Sequence, residues 1–399
     1  MVDPDVTLSQ LAEVRKLVGI SRLANITGLD SVGVPTWMAI RPLARSLTVS
    51  QGKGVTHTAA KVSAIMEATE LFHAEHLLPL GEEFTIIEAA HSDRFVDISF
   101  LPIRPNGDLS RTKSITWIPG KCLVTGNVCW VPRQIMDLNF VDSCKENELF
   151  TSSSNGLASG NTLAEATIHA ICEVIERDHS AYFHIKQQFS PDSQNNRIAP
   201  DTIKERTCRE VITKVEYAGL NYAVWNITTE LGLPCFICVV YDENHNTLYP
   251  SRATGAGCHP NRHIAFLRAM TEALQTRLTL VAGARDDIYW RNYLKDIPID
   301  ARCNRAWIEE RQNELTKVDF EEIANFGSGT NEAQKLIDQI LAALESSGFD
   351  KVVLTDLTCD QIGVPVVHVL IPGMELYLRS DDYCPGPRMM DLLGDILQS

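Results

Sequence analysis

One pattern recurs three times along the chain and limits what it can fold into. It reads Asn or Asp, then Ile or Leu, then Thr, a short polar stretch, and Gly-[Val/Leu]-Pro before a new apolar run. The copies are Asn25-Ile26-Thr27 with Gly33-Val34-Pro35, Asn226-Ile227-Thr228 with Gly232-Leu233-Pro234, and Asp356-Leu357-Thr358 with Gly363-Val364-Pro365. β-rich runs flank the last two: Tyr222 to Ile227 and Cys235 to Tyr241, then Val352 to Leu357 and Val366 to Ile371. Each copy predicts two strands joined by a Gly-containing turn, with Pro at the start of the returning strand, where a missing N–H is tolerated. Before the second and third copies a helical stretch (Thr202 to Tyr217, Glu332 to Ser346) runs to Gly219 or Gly348. Gly is the expected residue just past a helix end. Helix, Gly, strand, turn, strand thus recurs about 130 residues apart, beyond the roughly 20–50-residue period of a solenoid. No Pro- or Ser-rich linker divides the chain, and loops are expected at Ser152 to Gly156 and Gln187 to Asn196. The fold class expected is mixed α/β (α+β), as one pseudo-symmetric body.

Three further segments read as helix: Thr58 to His76, Thr162 to Tyr182 and Asn261 to Val281. The start of the second, Thr162-Leu163-Ala164-Glu165, has capping-box spacing. Each helix holds a Glu followed three positions later by Glu or Gln: Glu67 and Glu70, Glu173 and Glu176, Glu272 and Gln275. That spacing puts both side chains on one face, with Cβ atoms about 5–6 Å apart. Such a pair can ligate one hard cation or bridge two, and Mg²⁺ prefers oxygen ligands beside phosphates. The ordinary reading of a Glu pair is a solvated face. Here the neighbours are apolar: Ala64, Ile65, Met66, Ala68, Leu71 and Phe72 around the first pair, Ala170, Ile171, Cys172, Val174 and Ile175 around the second. A Gly-rich loop is expected before each helix: Ser50-Gln51-Gly52-Lys53-Gly54, Asn155 to Asn161, and Gly255 to Pro260. Gly-Lys-Gly lets backbone amides and an ammonium approach a phosphate, although the P-loop pattern is absent.

Charge and cysteine usage exclude other classes. Acidic residues outnumber basic ones 51 to 36, a balance of −15, which disfavours nucleic acid and anionic membranes as partners. No apolar run reaches membrane-spanning length, and the N-terminus does not read as a signal peptide. The eleven cysteines are scattered and read as buried thiols of a reducing cytoplasm. Cys235 and Cys238 sit three apart on an expected strand and so face opposite sides. His57, His169 and His259 read as satisfied side chains, with His169, one turn from Glu165 and Glu173, as the exception.

The set Gly52-Lys53-Gly54, Ser63-x3-Glu67-x2-Glu70, Asn155 to Thr162 with Glu165, Glu173-x2-Glu176-Arg177-Asp178 and Arg268-x3-Glu272-x2-Gln275-x-Arg277 resembles the YcaO family in order and spacing. The resemblance implies a YcaO-type fold with three carboxylate helices around an ATP site, over residues 1–399. That body divides into a strand-rich segment at 1–49, a nucleotide-binding core at 50–281 and an α/β segment at 282–399. It implies ATP and Mg²⁺ as cofactors. Glu67, Glu70, Glu173 and Glu176, with Glu272, would hold metal. Lys53, Ser63, Arg177, Arg268 and Gln275 would contact ATP, with Asn161 and Glu165 nearby. Leu71 stands where most members have Arg, and Ala158, Glu165 and His169 stand where Ser, Glu and Gln are frequent. The C-terminus, Met389-Met390-Asp391 to Ser399, lacks the proline-alternating tail of azoline-forming members. These features look closer to the members that work beside a TfuA partner.

The implied chemistry is O-phosphorylation of a peptide backbone amide followed by nucleophile addition, as thioamide formation with a TfuA-like partner on a peptide or protein substrate. The alternatives are an azoline-forming cyclodehydratase, an accessory factor for ribosomal protein methylthiolation, and a non-enzymatic peptide-binding module. A di-iron enzyme is disfavoured, because such sites use Glu-x-x-His. A homodimer stays open.

Overall fold

The computed structural model describes residues 2–105, 107, 114–142, 149–189, 196–242, 252–285, 287–288, 317–327, 332–376 and 384–398. Its helices are α1 (Pro4–Leu17), α2 (His57–His76), α3 (Ile86–Ala90), α4 (Arg133–Met136), α5 (Leu163–Phe189), α6 (Arg206–Tyr217), α7 (Arg262–Ala282), α8 (Ala333–Ser346) and α9 (Pro387–Gln398). Its strands are β1 (Arg22–Asn25), β2 (Thr36–Ile40), β3 (Val49–Lys53), β4 (Glu82–Thr85), β5 (Ser114–Cys122), β6 (Val128–Pro132), β7 (Leu157–Ser159), β8 (Asn221–Asn226), β9 (Cys235–Tyr241), β10 (Arg252–Cys258), β11 (Val353–Asp356) and β12 (Val366–Leu370). They build three sheets, β1-β2-β3, β10-β9-β8 and β4-β5-β11-β12-β7 with β6 on β5, a mixed α+β architecture. No helix among the described residues is long and apolar enough to cross a membrane.

The three sequence repeats form three hairpins, β1–β2, β8–β9 and β11–β12, one in each sheet. The same two hydrogen bonds close all of them. The Asn or Asp side chain accepts the Thr N–H two residues on, at 3.0 Å for Asn25, 3.1 Å for Asn226 and 2.9 Å for Asp356. The Thr hydroxyl then accepts the N–H of the residue after Pro, Thr36 at 3.0 Å, Cys235 at 3.0 Å and Val366 at 3.2 Å. An Asx turn and a hydroxyl therefore fasten the hairpin mouth. Gly33, Gly232 and Gly363 take φ of 68°, 72° and 73°, the left-handed region that the turn requires.

The structure extends the repeat further than the sequence reading. Segment 1–49, expected to be strand-rich, opens on α1, which runs to Gly19 as α6 runs to Gly219 and α8 to Gly348. Asp3 caps α1 and Pro4 occupies its first turn, while Leu11 and Val14 are buried. Each hairpin also gains a third strand, β3 on β2, β10 on β9 and β7 on β12. Each third strand leads into a carboxylate helix. In the last unit, β7 and α5 come from earlier in the chain than the hairpin they complete.

These third strands are the segments expected to be Gly-rich loops, and the reason is packing. A Cβ on Gly52 would stand 2.1 Å from Ala60 O and Ala64 N, and one on Gly257 would stand 2.2 Å from Ala265 O. Gly opposite Ala lets α2 and α7 lie directly on their strands. The glycines therefore serve helix–strand contact while the backbone pairs in a ladder, with Trp37 opposite Gly52.

The three helices begin where their caps place them. Thr56 caps α2 and Asn261 caps α7. At the start of α5 Thr162 Oγ1 accepts the Glu165 N–H at 3.1 Å, and the Glu165 carboxylate accepts the Asn161 N–H at 3.1 Å. The helix α5 runs past Tyr182 to Phe189, because Ala181 and Ile185 pack on Met389 of α9. Of the expected loop Gln187 to Asn196, residues 190–195 lie outside the described residues. Cys235 and Cys238 do face opposite sides of β9, one into the core beneath α5 and the other into the core beneath α6 and α7.

Candidate functional site

Each carboxylate helix lies against its own sheet unit and reaches a strand of the next, and the contacts close a ring. Glu67 of α2 accepts the N–H of Gln51 on its own strand β3 at 3.3 Å. Three residues on, Glu70 accepts the Ser159 N–H at 2.8 Å and the Ser159 hydroxyl at 2.6 Å, on β7. From α5, Glu176 accepts the Cys258 N–H on β10 at 2.9 Å. From α7, Glu272 accepts from Ala256 N on its own strand at 3.5 Å, and Gln275 donates to Gln51 O on β3 at 3.1 Å. The second acid position thus reaches the neighbouring unit every time. The pattern also explains why the last is Gln: it meets a carbonyl, which needs a donor.

The acids stand close enough to shift one another. Burial pushes Glu70 up to about 8, with repulsion from Glu173 and Glu67 adding to it and the Ser159 bonds opposing. Burial, with repulsion from Glu176 and Glu272, pushes Glu173 up to about 7 against Arg177 and Arg268. Glu67 and Glu176 are raised chiefly by burial. Against that same burial, the Lys53 ammonium, with Arg177 and Arg268, holds Glu272 below the usual carboxylate range. Lys53 forms an ion pair with Glu272 directly.

The other expected ATP contacts occupy this neighbourhood and an extension of it. The Lys53 N–H donates to Ser63 Oγ at 3.4 Å, and Arg177 reaches Glu173 at 3.4 Å. Arg268 donates to His169 Nε2 at 3.0 Å. Burial first, then Arg268 and Lys53, push His169 down to about 3, so it is a neutral acceptor that positions Arg268. Glu165, His169, Glu173 and Arg177 follow one another at i,i+4 along α5, so each side chain neighbours the next, and Asn161 stands just before the helix. Asn161 is tied to Glu165 at 3.1 Å and to Thr7 of α1 at 2.8 Å. The sequence reading missed Thr7, Ser159 and Cys258, since their partners are far away in the chain. It also missed a direct site role for Gln51, which carried a signal as a polar residue beside Gly52.

The residues fit a polyanion held with a hard cation. Arg268 Nε and Gln51 Nε2 are buried with no hydrogen-bond partner, and unsatisfied buried donors call for an acceptor. The carboxylates offer only oxygen, the donor that Mg²⁺ takes. Protein hydrogen bonds use Oε1 of Glu70 and Oε2 of Glu176, leaving their second oxygens for a cation. No three His, Cys, Asp or Glu side chains among the described residues are already drawn together as a metal-ligand set.

The raised carboxyls set a pH dependence. Glu70 and Glu173 bind protons up to about 8 and about 7 when folded but only to 4.5 when unfolded. Their contribution is full below 4.5 and is lost as pH rises through the folded values. His169 and His179, lowered from 6.5 to about 3, act the other way below 6.5. Between about pH 6.5 and 8 the thermal midpoint of the ligand-free protein is therefore expected to fall, with excess Mg²⁺ restoring most at the alkaline end. Scanning calorimetry over that range checks this, and a rising midpoint contradicts it.

Residues 51–375 match the family model described as YcaO cyclodehydratase, ATP- and Mg²⁺-binding. An uncharacterized protein in the tfuA 3′ region of Rhizobium leguminosarum bv. trifolii is 31% identical over 400 residues, covering 98% of this chain and 92% of that protein. The structure of YcaO from Methanopyrus kandleri bound with AMPPCP and Mg²⁺ shares the fold at a TM-score of 0.75 and 22% identity, covering 96% of this chain and 95% of that one. A heterocyclase in complex with substrate and cofactor aligns at a TM-score of 0.76 and 21% identity over 94% of this chain, which spans about half (53%) of that larger protein. With a family match that takes in all three carboxylate helices and a relative that follows the chain almost end to end, this protein belongs to the YcaO family, described as ATP- and Mg²⁺-binding cyclodehydratases.

Proposed function

We propose that the ring of α2, α5 and α7 binds ATP with Mg²⁺ and activates a backbone amide of a peptide or protein, for thioamide formation beside a TfuA-like partner. The observation that carries the reading is the crowding of Glu67, Glu70, Glu173, Glu176 and Glu272 with Lys53, Arg177 and Arg268 in one partly open neighbourhood. The name of the Rhizobium relative supports the choice of partner.

An amide carbonyl is a poor electrophile because resonance stabilises it. ATP with Mg²⁺ supplies the activation: the amide oxygen takes the terminal phosphoryl group, ADP leaves, and the oxygen departs as phosphate once sulfide has added to the carbon. The protein's share is positioning and charge stabilisation. Glu67, Glu70, Glu173, Glu176 and Glu272 would hold the cation. Lys53, Arg177 and Arg268 place positive charge where phosphate oxygens gather it. His169, held neutral, fixes the Arg268 guanidinium without competing for it. Ser63, Asn161, Glu165 and Gln275 orient the nucleotide along the α2, α5 and α7 faces.

Azoline formation is the second reading, favoured by the cyclodehydratase description of the family. Product mass separates the two. A thioamide gains about 16 Da as sulfur replaces oxygen, whereas an azoline loses about 18 Da as water, from the same activated amide. Mass spectrometry of a candidate peptide with ATP, sulfide and the TfuA-like partner is expected to show the gain, and little change without the partner. Efficient loss of water by this chain alone overturns the thioamide reading.

A further inference from the structure

A groove of about 380 Å³ lies between α1, the β1–β2 hairpin and α2, lined by Leu8, Ala12, Arg15, Leu23, Trp37 and Lys61. Leu8, Leu23 and Trp37 make its apolar body. The Lys61 ammonium sits 4.4 Å from the Trp37 ring centroid, and the indole N–H donates to His57 Nδ1 at 3.1 Å. The Arg15 Nε is buried without a hydrogen-bond partner. No ion pair joins Arg15 or Lys61 to a carboxylate among the described residues, although even exposed bases such as Lys16, Arg206 and Lys335 find one. In a chain with 51 acidic residues to 36 basic ones, two bases left without an acid in one groove mark a surface complementary to negative charge.

The groove also has an open backbone edge. β1 is the outer strand of its sheet. The Ile26 N–H goes to Thr36 O across the hairpin at 3.1 Å, so by alternation Leu23 and Asn25 turn their backbone groups outward. An extended segment can add there as a further strand. Two of its walls adjoin the carboxylate ring: Trp37 is opposite Gly52, and Thr7 of α1 bonds Asn161.

We propose that this groove docks an acidic, extended segment of the peptide substrate, with carboxylates on Arg15 and Lys61 and an apolar side chain against Trp37. The proposal rests on the peptide-modifying reading above. Docking here anchors the substrate away from the reacting amide, so it governs affinity and leaves nucleotide binding alone.

The test uses two end-capped fluorescent peptides, one alternating Glu and Leu and one alternating Lys and Leu. Anisotropy titrations compare the intact protein with Arg15→Glu, Lys61→Glu and the double variant, and calorimetry follows the ATP analogue AMPPCP with Mg²⁺ in parallel. The Glu–Leu peptide is expected to bind the intact protein and to bind each single variant about tenfold more weakly, since each reversal removes a charge-assisted contact. The double variant is expected to prefer the Lys–Leu peptide, with AMPPCP binding unchanged throughout. Three results overturn the proposal: no Glu–Leu binding to the intact protein, equal binding to the double variant, or a change of oligomeric state in the variants showing that a second copy of this chain fills the groove. Loss of AMPPCP binding by the intact protein, with the peptide pattern intact, removes the amide-activation reading and leaves the docking site standing.

Discussion

Replacing Glu173 and Glu176 together by Gln is expected to abolish nucleotide turnover, measured with peptide and partner present, while the fold survives. Two negative charges leave the ring, and the remaining carboxylates hold a cation poorly. Outer-shell changes around a metal cost about 10–100-fold, so loss of two ligands exceeds that. The fold is spared because a Gln oxygen at 176 still accepts the Cys258 N–H, and Glu173 loses only a 3.4 Å contact to Arg177. Repulsion among Glu70, Glu173, Glu176 and Glu272 also falls, so the thermal midpoint should hold or rise. Were these ordinary solvated glutamates, stability and turnover would both change little, stability by about 0.5 kcal/mol or less. Wild-type turnover in the double variant refutes their assignment.

Arg41→Met is expected to destabilise the protein by about 3–5 kcal/mol, the cost of leaving one partner of a buried ion pair uncompensated. Arg41 and Glu75 side chains are 3% and 0% exposed. Arg41 Nε donates to Val18 O at the end of α1 at 3.0 Å, and NH1 donates to Glu75 Oε1 on α2 at 3.3 Å. The Ser46 N–H and hydroxyl bond the same carboxylate at 3.1 Å and 2.5 Å. One guanidinium therefore fastens α1, the β2–β3 connection and α2, the helix that carries Glu67 and Glu70. Chemical denaturation checks the magnitude, and a change below about 1 kcal/mol would place the pair among solvent-screened surface pairs.

The parts of the fold that were legible in sequence are those with local chemistry. The hairpins could be read because Asn25, Asn226 and Asp356 act on a Thr only two residues away. The carboxylate helices could be read because their runs are long, rich in Ala, Leu and Glu, and free of Gly and Pro. The Gly-rich segments misled, since Gly52 and Gly257 answer to a helix backbone several residues further on, and nothing local tells close packing from a phosphate loop. α1 carried a readable start in Asp3-Pro4 and a readable stripe in Leu8, Leu11 and Val14, in a segment expected to be strand-rich. In the candidate site the residue types and spacing were legible but their pairings were not. Lys53 meets Glu272 across 219 positions, Ser159 meets Glu70 across 89, and Cys258 meets Glu176 across 82. Those contacts depend on how the three sheets come together, which no local propensity encodes.

The central claim, that the three helices form one site for ATP with Mg²⁺, is tested most directly by titrating AMPPCP into the protein by calorimetry, with Mg²⁺ and again in excess chelator. Saturable binding that requires Mg²⁺ and is lost in the Glu173→Gln/Glu176→Gln variant is the predicted result. Equal binding in chelator, or no binding with Mg²⁺ present, would contradict it.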